Sequence, residues 1–87
     1  MSRKQFDYVV QSPVGIHARP AMLLAQKART FTSTVRIEYN GKYANAKNMA
    51  ELLLLGVFQA AEVTFIVEGE KEEEEVQQLK EFCEHNL

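Results

Sequence analysis

The sequence predicts an α+β fold in which one mostly antiparallel, four-stranded sheet is covered on one face by three helices. Three observations carry that prediction. Short stretches of alternating apolar and polar residues near 6–10, 34–39, 42–46 and 62–68 read as strands. Longer stretches with apolar residues at helical spacing lie between or after them. Asn40-Gly41, the strongest hairpin signal in the chain, joins two of the strands directly. The order is therefore β-α-β-β-α-β-α, and a single sheet buries all three helical stripes together, leaving its other face largely to solvent.

Phe6, Tyr8 and Val10 alternate with Asp7 and Val9 in the first strand, which Ser12-Pro13-Val14-Gly15 interrupts. His17-Ala18-Arg19-Pro20 opens a helix running to about Phe31. Pro20 suits its first turn because the missing N–H would be unbonded there anyway. Ala21, Leu24, Ala25, Ala28 and Phe31 share one face and are expected to pack on the sheet. Thr34–Tyr39 and Lys42–Ala46 form the hairpin, with Val35, Ile37 and Tyr39 on one side. Met49–Val57 contains four consecutive leucines and has the composition of a buried strand. Asn48 before it, a good helix cap, and Gly56 after it favour a short helix. Val63, Phe65 and Val67 line one face of the fourth strand, and Gly69 ends it. Val76, Leu79, Phe82 and Cys83 follow helical spacing in the last segment. Glu72–Glu75 complement the dipole at its start and read as a solvated first turn rather than a metal site.

A chain of 87 residues, 46% hydrophobic, suits one domain over 1–87 with one continuous core. A separate catalytic domain has no room, and a surface site used by other proteins fits this size better than a deep pocket. No apolar run approaches bilayer length, so membrane insertion is not expected. Met1–Gln5 and Phe6–Val10 do not make a signal peptide. Cys83 is the only cysteine, which excludes an internal disulfide and a clustered thiolate metal site. It reads as a small, partly buried helix residue. These features point to a cytoplasmic protein without metal or cofactor. The net charge of −2 is unevenly spread: residues 1–67 carry eight Lys/Arg and four Asp/Glu, residues 68–87 two and eight. The acidic tail argues against nucleic acid as a partner, while the basic front can steer an acidic one.

The chemistry concentrates at Gly15–Pro20. Histidine titrates near neutrality and offers two ring nitrogens, one free to attack while the other is held. His17 lies where a strand-to-helix turn exposes it, beside backbone N–H groups that suit phosphoryl oxygens. Arg19 adds a side-chain source of positive charge, and Gly15 permits unusual backbone angles or close approach. On spacing and chemistry alone two readings stand. The pair is either a nucleophile with its anion-binding cation, or a helix cap with a surface cation. His85, the only other histidine, has no evident reason to meet His17.

Gly15-Ile16-His17-Ala18-Arg19-Pro20-Ala21 resembles the active-site signature of HPr, the histidine-containing phosphocarrier family of the bacterial sugar phosphotransferase system. Glu38-Tyr39-Asn40-Gly41-Lys42 and Asn45-Ala46-Lys47 resemble its hairpin, and the similarity extends over essentially the whole length. The resemblance implies an open-faced β-sandwich of sheet order 1-4-2-3. It implies that His17 receives a phosphoryl group on Nδ1 from an enzyme I-like protein, with phosphoenolpyruvate upstream, and donates it to an enzyme IIA-like protein. Arg19 and the N–H groups of Ala18 and Arg19 would then bind the phosphoryl oxygens. Such a protein is a phosphoryl-transfer intermediate, grouped with transferases, rather than a self-contained enzyme, and is expected to be monomeric.

Three positions depart from the family pattern. Asn48 stands where many members from Firmicutes carry a regulatory serine; it can cap the helix but cannot accept a phosphoryl ester. A neutral amide is also a poor mimic of phosphoserine. Val14 replaces a commonly polar residue, and Glu51 stands where glycine or lysine is common. The expected docking surface combines Met22 with Met49, Ala50 and Leu53, flexible apolar residues that suit successive partners. Two other readings remain beside sugar uptake: a specialised paralogue in a regulatory or nitrogen-related phosphotransfer chain, and a non-phosphorylated protein-binding module.

Overall fold

The computed structural model describes residues 3–87. Four strands, β1 (Arg3–Val9), β2 (Thr34–Tyr39), β3 (Lys42–Asn45) and β4 (Glu62–Glu68), form one antiparallel sheet of order β1-β4-β2-β3. Three helices, α1 (Ala18–Arg29), α2 (Met49–Leu54) and α3 (Glu72–Asn86), cover one face. The predicted element order, antiparallel sheet and 1-4-2-3 arrangement are all present.

Register fixes which side chains face the helices. Phe6 pairs with Phe65, and Ile37 pairs with both Phe65 and Ala44, so these residues share a face. Phe65 and Ile37 are fully buried there, with Val35, Val63 and Val67. The Phe6 and Phe65 rings stack with centroids 5.2 Å apart. Helix α1 brings Ala21, Leu24, Ala25 and Ala28 to this core, and Phe31 follows just beyond its end. Small side chains let the helix approach closely. Leu52, Leu79 and Cys83 come from the other two helices. Ile66 is the exception on the open face: it lies between Gln5 and Arg36 and is nearly fully buried there.

Element ends moved where local bonding overrides periodicity. Helix α1 stops at Arg29, because Thr30 N–H and Phe31 N–H turn back to the Lys27 and Ala28 carbonyls, tightening the last turn. Strand β3 stops at Asn45, although Ala46 N–H still donates to Val35 O. The hairpin has the positive φ angles its Asn-Gly turn demands, 55° at Asn40 and 77° at Gly41. Helix α2 is shorter than its apolar run, because Gly56 turns left-handed at φ 66°. Asn48 caps it, its side chain accepting from Glu51 N–H. Leu52 and Leu55 point inward, whereas Leu53 and Leu54 stay exposed.

Two expectations about α3 need correction. The glutamates at its start are not all solvated: Glu72 and Glu75 are buried. The Glu75 carboxylate accepts from Thr32 N–H at 2.8 Å and Ser33 N–H at 3.0 Å, tying α3 to the turn after α1. Burial opposes its ionisation, but hydrogen bonds from Ser33 and Thr32 outweigh this and hold its pKa below the ordinary value. Among the described residues the Ser33 hydroxyl has no hydrogen-bond partner, so the two backbone donors do most of the holding. Cys83 is fully rather than partly buried, and burial pushes its thiol pKa up to about 12. The thiol is therefore an inert core group.

Candidate functional site

The loop from Val10 to His17 connects β1 to α1, and its shape follows from Gly15. That residue adopts φ 66°, and a Cβ there would meet Val57 O at 2.3 Å and Phe58 Cα at 2.9 Å. Glycine is required twice, by backbone angle and by close approach. Ile16 is buried and its N–H donates to Val57 O at 3.1 Å, which anchors the residue before the histidine.

His17 then occupies the N-cap position of α1 with extended backbone angles, and its carbonyl accepts from Ala21 N–H at 2.8 Å. Its side chain makes no capping hydrogen bond and is exposed. The structural alternative of a histidine serving as helix cap therefore fails, and the ring is left to solvent. Helix geometry leaves the N–H groups of Ala18 and Arg19 without intrahelical acceptors, and Pro20 has none to offer. The first turn holds no acidic residue that would compete with an arriving anion. Arg19 is exposed, and the ion pairs among the described residues, Lys4–Glu73 and Arg36–Glu68, lie elsewhere. An uncapped helix N-terminus, an exposed imidazole and an exposed guanidinium without an ion pair among the described residues thus belong to one surface turn. This arrangement can present a ring nitrogen to phosphorus and donate hydrogen bonds to the oxygens around it.

A family model described as the PTS HPr component phosphorylation site matches residues 4–85. The chain belongs to the HPr family. Solved structures of HPr proteins agree. The Thermoanaerobacter tengcongensis protein HPr-C-His is 35% identical, with a TM-score of 0.90 over 95% of this chain and 93% of its own. The Bacillus anthracis phosphocarrier protein HPr is 30% identical, with a TM-score of 0.88 over 95% and 99%. Bacillus subtilis Crh, a catabolite repression protein solved as a domain-swapped dimer, is 39% identical, with a TM-score of 0.75 over 92% of each chain.

Within the HPr fold, the positions singled out for docking differ in exposure. Met22 on α1 is 37% exposed and Leu53 on α2 is 40% exposed, and Ala50 is exposed beside it. Met49 is half-buried and packs against the core. Helices α1 and α2 pack together. More apolar surface is exposed than the sequence reading identified: Leu54 is 81% exposed, Phe58 72% and Val14 60%. Helical phase gives a signal for Leu54, since it follows Leu53 and falls outside the Leu52–Leu55 stripe. Phe58 lies in a loop, where periodicity carries no information.

Glu51 is engaged with Asn45 and Asn48 at the entrance to α2. Its carboxylate accepts from Asn45 N–H at 2.9 Å while its N–H bonds Asn48 Oδ1 at 3.2 Å, joining the end of β3 to α2. Among the described residues no group of three or more His, Cys, Asp or Glu converges as a metal site. His85 sits near the end of α3 with Nδ1 against the Glu81 carbonyl at 2.8 Å. Among the described residues no helix is long and apolar enough to cross a membrane.

Proposed function

We propose that this chain is a cytoplasmic phosphocarrier of sugar uptake, accepting a phosphoryl group on His17 from an enzyme I-like protein and donating it to an enzyme IIA-like protein. One observation carries the reading: His17 stands at the N-cap of α1 without capping it, its side chain exposed. In the transfer, Nδ1 attacks the phosphorus of the phosphodonor, the new N–P bond forms, and the donor's own bond to phosphorus breaks. The N–H groups of Ala18 and Arg19, with the Arg19 side chain, bind the three phosphoryl oxygens. Neutralisation is partial at so open a turn, which leaves the group reactive toward the next nucleophile. Both steps then reverse readily, as a carrier needs.

Met22, Met49, Ala50 and Leu53 form the surface on which donor and acceptor dock in turn. Residues 1–87 act as one domain and work as a monomer, which light scattering of the purified chain tests directly. Asn48 has no hydroxyl to esterify, so a serine kinase has no substrate at that position. The test is transfer from phosphoenolpyruvate through purified enzyme I to a panel of IIA proteins, with His17→Ala in parallel. Delivery to a sugar-specific IIA protein that vanishes in the variant supports the proposal. Failure with every sugar acceptor contradicts the sugar-uptake assignment.

A second reading rests on the 39% identity to Crh, whose name ties it to catabolite repression. A regulatory paralogue using the same histidine would pass phosphate only to an acceptor outside sugar transport, and the same panel separates the two.

A further inference from the structure

The segment 56–61, between α2 and β4, holds the loop bearing His17 at both ends. At the near end, Val10 N–H donates to Ala61 O and Ala60 N–H donates to Val10 O, each at 2.9 Å. At the far end, Ile16 N–H donates to Val57 O, one residue before the histidine. Gly15 presses its backbone directly on Val57 and Phe58. Ala61 N–H closes the segment on itself through Phe58 O at 3.2 Å. Its path includes two left-handed residues, Gly56 at φ 66° and Ala60 at φ 70°. A left-handed alanine is strained and persists only where its surroundings hold it.

We infer that segment 56–61 is a positioning platform for His17, setting where the imidazole stands by clamping both ends of the 10–16 loop. The inference rests on the carrier reading and adds residues to it. Val57, through its carbonyl, and Gly15 are positioning residues, since neither would touch the phosphoryl group. In-line transfer demands near-attack geometry, and a displacement of about 1 Å can slow such a step about 100-fold. The same segment leaves α2, so the proposed docking helix and the nucleophile are held by one continuous piece of backbone.

Three glycine substitutions test this. Gly15→Ala drives the loop off the platform. Gly56→Ala strains the platform at its start without a clash, because a Cβ there meets nothing within 4 Å. Gly41→Ala is the matched control: it also has positive φ and open space, but lies in the β2–β3 hairpin. Each variant is phosphorylated with enzyme I and phosphoenolpyruvate at a temperature where circular dichroism shows it folded. The kcat and KM for the carrier are measured separately, and the His17 ring resonances are followed by NMR. We expect kcat to fall about 10- to 100-fold in Gly15→Ala and less in Gly56→Ala, with KM within about twofold. Both should displace the His17 ring resonances, whereas Gly41→Ala should lose thermal stability alone. If Gly15→Ala does not fold, Gly56→Ala decides. Unchanged kcat and ring resonances in the folded variants would overturn the platform. Failure of the unsubstituted chain to take phosphate would instead overturn the carrier reading, while the ring resonances still judge the platform.

Discussion

His17 shows how a residue at a capping position can be kept from capping. Its backbone occupies the N-cap of α1, but the imidazole makes no bond to the helix. Arg19, two residues on, supplies charge without contributing to the core. Arg19→Ala is therefore expected to lower the phosphoryl-transfer rate at least about tenfold, the loss of one charge-assisted hydrogen bond. Its melting temperature should stay within about 2 °C, since exposed substitutions away from structural features cost little. Stopped-flow transfer and a thermal melt check the two halves separately, and full-rate transfer would remove Arg19 from the site. Ala60 is a different case, a non-glycine residue at φ 70°. Ala60→Gly should raise stability by about 0.5–1 kcal/mol, the relief of left-handed strain less the added freedom of the unfolded chain. Urea unfolding measures that difference, and a destabilised variant would mean the methyl group is favourably packed.

At the scale of elements, α1 and α3 are joined by chemistry that periodicity does not reveal. Glu75 reads in the sequence as one of four similar glutamates, yet it alone accepts both N–H groups of the turn after α1. Nothing in spacing distinguishes it, because its acceptor role depends on where a turn some forty residues earlier is placed. Its pKa is lowered on folding, so its charge contributes stability above the ordinary carboxyl value near 4.5. That contribution is lost as pH falls through the depressed folded value. Glu75→Gln should cost about 1.5–3 kcal/mol at pH 7, the range for hydrogen bonds to a charged group. The gap to the unsubstituted chain should narrow only below about pH 4.5. Denaturant titrations at pH 7 and pH 3 give both values, and a gap independent of pH would contradict the tie that ionised Glu75 makes between α3 and the turn after α1. Apolar phase, by contrast, was fully legible in α1. Leu24 was placed in the core and is completely buried. Leu24→Ala is expected to cost about 2–5 kcal/mol through the cavity it leaves. An intact melting temperature would argue that the site collapses around the missing atoms.

For the whole molecule, strand alternation, the Asn40-Gly41 turn and the helical stripes were enough to read the architecture. The 1-4-2-3 order came from resemblance rather than from pattern, since alternation cannot say which strands are neighbours. The Gly15–Ala21 motif located the exposed histidine, but its clamp on segment 56–61 was illegible because it joins residues some forty positions apart through backbone atoms. Exposure of Phe58 was hidden because it lies in the loop between α2 and β4, where periodicity carries no information. The charge asymmetry also acquires a spatial meaning. Gln11 and Ser12 N–H groups donate to Leu87 O, so α3 ends beside the His17 loop. Its 15 residues rise about 1.5 Å each, which sets the four glutamates that open it about 20 Å away. That run therefore stands at the far end of α3 from the loop, whereas Glu84 of the same helix lines a surface pocket with Gln11 and Ser12. Whether His17 carries the phosphoryl group is measured by site-resolved mass spectrometry under alkaline conditions after incubation with phosphoenolpyruvate and an enzyme I-like protein. We predict one phosphate, on His17, absent in His17→Ala; an unmodified His17 under conditions that phosphorylate a genuine HPr would rule out the carrier role.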